Sequence, residues 1–175
     1  MTDPSPAPRP PRIAVCAPSD ATDDELADAE AVGRLLAERG CVLVCGGLGG
    51  AMAAACRGAK GAGGVTLGIL PGYDAKAANP WVDHAVCTGL GQARNAVVAA
   101  TGQALIAVGG GVGTLAEVAL GLRLGRPVVL LGGWAAVLAT PEARALTDRQ
   151  GPPPVVAKTP SEAVDLALAA LPGRA

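Results

Sequence analysis

Three features of the sequence could do chemistry: the glycine-rich turn Gly109-Gly110-Gly111-Val112-Gly113-Thr114, Arg94 upstream of it and Glu117 just beyond it. From Gly111 to Ala116 the spacing is G-x-G-x-x-A, after an apolar run that reads as a strand and at the start of a run that reads as a helix, the context this signature requires. Glycines allow backbone shapes that leave successive N–H groups free. The helix N-terminus adds partial positive charge, so a phosphate is favoured there. The predicted phosphate contacts are Gly110, Gly111, Val112, Gly113 and Thr114. A nicotinamide dinucleotide fits less well, because the next strand ends Leu131-Gly132-Gly133 where an acidic residue would take the ribose hydroxyl. A mononucleotide or phosphoribosyl group fits better.

Glu117 stands three residues after Thr114, a T-x-x-E spacing that is also a capping box, in which the carboxylate would only bond the Thr114 backbone N–H. Thr22 with Glu25 and Thr159 with Glu162 repeat that spacing without a glycine-rich loop, so the device recurs along the chain. The functional alternative is a carboxylate serving a sugar hydroxyl or the reaction beside a bound phosphate. Arg94 falls in the first turn of a predicted helix, where a cation opposes the helix dipole by roughly 0.3 to 1 kcal/mol. An anion on the neighbouring loop would supply its counter-charge, and Asn95 beside it joins the predicted binding set. A second strand-to-helix turn, Gly46-Gly47-Leu48-Gly49-Gly50, suggests a shared cleft through Gly46, Gly47, Gly49 and Gly50; close packing of a Gly/Ala-rich helix on the sheet is the competing explanation.

The elements that must position these groups are strands apolar throughout, separated by helices. Strands are predicted at 13–16, 41–45, 65–70, 84–88, 104–108, 127–131 and 154–157, and helices at 22–39, up to about 60, 91–102, 114–124, 134–146 and 160–171, with a helix-free loop over 71–83. That alternation specifies an α/β, Rossmann-like, open parallel sheet covered by helices on both faces. Ligands of such sheets sit at the carboxyl ends of the strands, and the glycine-rich or polar exits follow Cys45, Thr88 and Val108. Residues 1–11, rich in proline, read as a disordered tail rather than a signal peptide, and 12–175 as one domain.

Composition excludes several classes. Fourteen Lys plus Arg against fifteen Asp plus Glu leave a net charge of -1, without the positive field that nucleic acid binding needs. The longest apolar stretch is broken by glycines and Glu117, so no membrane span is predicted. Cys16, Cys41, Cys45, Cys56 and Cys87 are odd in number and show no C-x-x-C, which suits reduced thiols in the cytoplasm. His84 is the only histidine, so no metal site is expected and no cofactor is called for.

The run from Gly109 to Glu117, with Arg94 upstream, resembles the LONELY GUY (LOG) superfamily, whose pattern is P-G-G-x-G-T-x-x-E after an arginine. Two positions depart from it: Gly109 replaces the proline, and Asn95 replaces the lysine that usually follows the arginine in cytokinin-activating members. The resemblance implies a homodimeric phosphoribohydrolase that cleaves a nucleoside 5'-monophosphate into base and ribose 5-phosphate, with Arg94 and Glu117 at the catalytic positions. The stretches 78–83 and 88–95 are similar to the branch that includes the molybdenum-cofactor carrier proteins, which implies instead a non-enzymatic binder of a phosphorylated pterin.

Overall fold

The computed structural model describes residues 9–147 and 152–172, so most of the expected tail, residues 1–8, lies outside the described residues. Seven strands form one sheet: β1 (Arg12–Cys16), β2 (Val42–Cys45), β3 (Val65–Leu70), β4 (His84–Cys87), β5 (Ala104–Val108), β6 (Val128–Leu131) and β7 (Val155–Ala157). Their order is β4-β3-β2-β1-β5-β6-β7, and every neighbouring pair is parallel. The expected α/β, Rossmann-like architecture is the one observed. Among the described residues seven α-helices connect or follow the strands: α1 (Asp23–Glu38), α2 (Ala51–Gly61), α3 (Asn95–Thr101), α4 (Val112–Arg123), α5 (Ala135–Leu138), α6 (Pro141–Thr147) and α7 (Pro160–Ala169).

Continuous apolar runs are needed because both faces of the sheet are buried. Along β1, Ile13 and Val15 enter a core shared with α1, α2 and α7, whereas Ala14 and Cys16 enter a second core with α3 and α4. The two-residue period of a strand divides one short run between two layers. On α1 the buried positions Ala29, Val32, Gly33 and Leu36 follow helical spacing, and Thr22 with Glu25 forms the capping box that starts the helix. A Cβ at Gly33 would lie 1.9 Å from Ala55 O, and one at Gly58 1.9 Å from Glu30 O, so these glycines set the close approach of α1 and α2.

The chain winds from β1 out to β4, then returns to place β5 on the other side of β1. That reversal is the topological switch point, and the carboxyl ends of β1 and β5 border it.

Three local expectations are corrected. The predicted helix over 91–102 begins as a 3-10 turn (Gly91–Arg94), and only Asn95–Thr101 is α-helical. The predicted helix over 134–146 is two pieces: Pro141 has no N–H to continue the ladder, and Thr140 Oγ1 accepts from Ala143 N–H to start α6 afresh. The 71–83 loop contains a short 3-10 turn, Ala75–Ala77, started by Asp74, whose side chain accepts from Lys76 N–H.

Candidate functional site

A cavity of about 920 Å³ opens beside the switch point. Its walls come from the β1 exit (Pro18, Ser19, Asp20), the 3-10 turn and start of α3 (Gln92, Arg94, Asn95) and the first turns of α4 (Gly111, Val112, Gly113, Thr114, Glu117). Leu48, Met52 and Leu120 add apolar surface. This is the volume and mixed lining of a small-molecule site.

α4 starts at Val112 with Gly111 at its cap, and no side chain caps it. Leu115 N–H closes the first turn onto Gly111 O at 3.0 Å, leaving the amides of Val112, Gly113 and Thr114 with no carbonyl one turn back. A Cβ at Gly113 would meet nothing within 4 Å, and one at Gly111 only Pro18, at 3.9 Å, so this part of the turn borders open space. The other half is packed. Gly109 has φ +64 and donates to Leu131 O at 2.9 Å; Gly110 donates to Glu25 Oε1 at 3.0 Å, and a Cβ on it would lie 2.7 Å from the Trp134 ring. Gly110, predicted as a phosphate contact, therefore gives its amide to Glu25 and lines no part of the cavity. The positive φ also explains why the pattern's proline is absent: proline is held near φ -65°.

Glu117 is not a capping residue for Thr114. Because α4 begins two residues before Thr114, Glu117 sits in its second turn, 5 % exposed, and Arg94 Nη1 donates to its Oε1 at 3.1 Å. Thr22, by contrast, does form the box with Glu25, and Thr159 accepts from Glu162 N–H. Burial pushes the Glu117 carboxyl up to about 7, with the Arg94 charge and the Cys16 thiol pulling the other way. The Cys16 thiol, at the end of β1, is itself raised well above its ordinary value by burial and by Glu117.

Arg94, 6 % exposed, closes the 3-10 turn and immediately precedes α3. The counter-charge expected from a loop-bound anion is supplied by Glu117. Its guanidinium lies against Gly46, where a Cβ would fall 2.5 Å from both terminal nitrogens, while its Nε has no partner. The Asn95 side chain donates only a long bond, from Nδ2 to Gly113 O at 3.4 Å, and its Oδ1 has none. Thr114 Oγ1 is likewise buried without a partner. Buried polar atoms nearly always find partners, and these three without one all belong to residues that line the same cavity.

The structure thus brings together Arg94, Asn95, Gly111, Val112, Gly113, Thr114 and Glu117. Gly46, Gly47, Gly49 and Gly50 stand outside the lining. Gly46 accommodates Arg94; Gly47, with φ +71, faces Gly68 and donates to Cys45 Sγ at 3.3 Å; a Cβ at Gly50 would lie 2.1 Å from Ser19 O; Gly49 is open. Pro18, Ser19, Asp20 and Met52 line the cavity but were not foreseen. The available signal was positional: the first strand of a doubly wound sheet borders the switch point, so its polar exit belongs to the site. Among the described residues no group of three or more His, Cys, Asp or Glu side chains could hold a metal ion, and no helix is long and apolar enough to cross a membrane.

The doubly wound sheet and the cleft at its switch point define a single-domain Rossmann-like protein. The chain belongs to the SLOG cluster4 family, which it matches over residues 10–164, and with it to the LOG-related branch that contains the molybdenum-cofactor carriers. The molybdenum cofactor binding protein of Rippkaea orientalis is 38 % identical, with a TM-score of 0.84 over 92 % of this chain and 97 % of that one. The molybdenum cofactor carrier protein of Chlamydomonas reinhardtii is also 38 % identical, with a TM-score of 0.80 over 92 % of this chain and 98 % of that one. An uncharacterised protein of Archaeoglobus fulgidus is 40 % identical over 69 % of this chain and 79 % of its own length.

Proposed function

We propose that this chain is a cytoplasmic, homodimeric or larger binder and carrier of a small phosphorylated ligand of the molybdopterin type. The observation that carries the reading is the set of unpartnered buried atoms, Arg94 Nε, Asn95 Oδ1 and Thr114 Oγ1, on one cavity with the free amides that open α4. A phosphate accepts from the amides of Val112, Gly113 and Thr114, from the Thr114 hydroxyl and from Arg94 Nε, the last a charge-assisted bond. Asn95 Oδ1 takes a hydroxyl or ring N–H of the same ligand, and Leu48, Met52 and Leu120 cover an apolar ring face. The likeness to two proteins named for molybdenum cofactor supports a pterin over a nucleoside.

One observation favours the phosphoribohydrolase reading: a buried carboxyl beside an arginine, pushed up to about 7 by its burial, suits a general acid or base at a ribose. Two assays on purified protein separate the readings. The carrier reading expects phosphate-dependent binding of a phosphorylated pterin and no free base from a panel of nucleoside monophosphates. Base release that Glu117→Ala abolishes would overturn it in favour of hydrolysis.

A further inference from the structure

Glu25 stands outside the cavity, on the first turn of α1, and its carboxylate bridges two backbone amides far apart in sequence. Oε2 accepts from Thr22 N–H at 2.9 Å, which is the capping box. Oε1 accepts from Gly110 N–H at 3.0 Å, 85 residues along the chain, and capping does not require that bond. The turn is shaped around the carboxylate: Gly109 is left-handed, φ +64, and a Cβ there would lie 1.9 Å from Oε1. From the other side, Gly111 O accepts from Trp134 Nε1 at 3.0 Å.

The geometry points to Glu25 as a positioning residue that, by occupying the Gly110 amide, sets the register of the anion site at the first turn of α4, on Val112, Gly113 and Thr114. This rests on the phosphate-binding reading above. Without the carboxylate the Gly110 N–H is freed, the Gly109–Gly111 segment loses an anchor, and the three amides no longer start from a fixed direction. The carboxylate helps through geometry alone, since its charge repels the anion it helps to seat.

The test is a titration of the 15N-labelled full chain with inorganic phosphate, read at the backbone amides. In the wild type, Val112, Gly113 and Thr114 shift saturably and Gly110 does not. Glu25→Ala weakens phosphate about tenfold, the scale of one lost hydrogen bond to a charged group, and speeds solvent exchange at the Gly110 amide. Glu25→Gln, whose side-chain oxygen still accepts from Gly110, stays within about threefold of the wild type on the same scale. Thr22→Ala, which breaks the same cap and leaves Gly110 bonded, also stays within that range. If Glu25→Ala does not fold, Glu25→Asp, one methylene too short to reach both amides, takes its place with the same expected loss. Wild-type affinity in the folded Ala or Asp variant, or an equal loss in Thr22→Ala, overturns the inference and leaves phosphate binding standing. Absence of a saturable shift at 112–114 in the wild type overturns phosphate binding itself, and this inference with it.

Discussion

The two glycine-rich turns look alike in sequence and do opposite things. In Gly46-Gly47-Leu48-Gly49-Gly50 three of the four glycines are small because a neighbour is close: Arg94 lies over Gly46, Gly68 against Gly47 and the Ser19 carbonyl against Gly50. In Gly109-Gly110-Gly111-Val112-Gly113 the first two are crowded by Glu25 and Trp134, but Gly111 and Gly113 border the cavity and face almost nothing. A strand-to-helix glycine can therefore make room for neighbouring protein or border open space, and the residue type alone does not tell which. The difference lies in what a methyl group would meet.

That contrast can be broken by substitution. Gly50→Ala places a Cβ 2.1 Å from Ser19 O at a φ of +62, so both overpacking and backbone strain apply. It should cost about 3 kcal/mol or more in urea denaturation; a loss under about 0.5 kcal/mol, the scale of a neutral surface change, would show that the first turn is not packed as described.

The buried pair predicts a pH effect of similar size. The folded-state carboxyl of Glu117 is raised to about 7 from an ordinary 4.5, so the folded protein keeps a proton that the unfolded chain releases. The stabilising effect of that proton is complete below about pH 4.5 and is lost as pH rises toward 7, on the order of 3 kcal/mol in all. Denaturation at pH 5 and pH 8 should show the loss in the wild type and a flatter profile in Glu117→Gln. Parallel profiles would show that Glu117 is not held protonated.

Smaller effects separate packing from binding. Gly46→Ala pushes the guanidinium away from Glu117 and should weaken a phosphorylated ligand roughly 10- to 100-fold, the range of lost charge-assisted hydrogen bonds, although Gly46 touches no ligand. Gly113→Ala, with open space around it inside α4, should raise stability by about 0.5 to 1 kcal/mol and still weaken the same ligand. If stability and affinity fall together in both turns, the two turns are not distinct.

Much of the fold was legible because it rests on local patterns. Runs such as 104–108 are apolar on both faces, which only a covered parallel strand explains, and Gly40 and Gly125, both with positive φ, end α1 and α4 where the sequence reading stopped those helices. Strand order was not legible, since it depends on pairing between distant segments, and without it the β1 exit of Pro18, Ser19 and Asp20, which has no glycine signature, went unnoticed. The capping alternative for Glu117 stayed open for a different reason. Gly111 caps α4 through its backbone alone, so the nearest side-chain cap in the sequence, Thr114, drew the predicted start two residues too late and left a buried carboxylate looking like a cap.

The central claim is that Arg94, Asn95 and Thr114 face a phosphorylated ligand rather than one another. Mass spectrometry of small molecules released by denaturing the freshly purified protein tests it most directly, with an Asn95→Leu, Thr114→Val double variant alongside. A phosphorus-containing compound from the wild type that is absent from the folded double variant is the predicted result. The same compound retained at the same stoichiometry by the variant would contradict it.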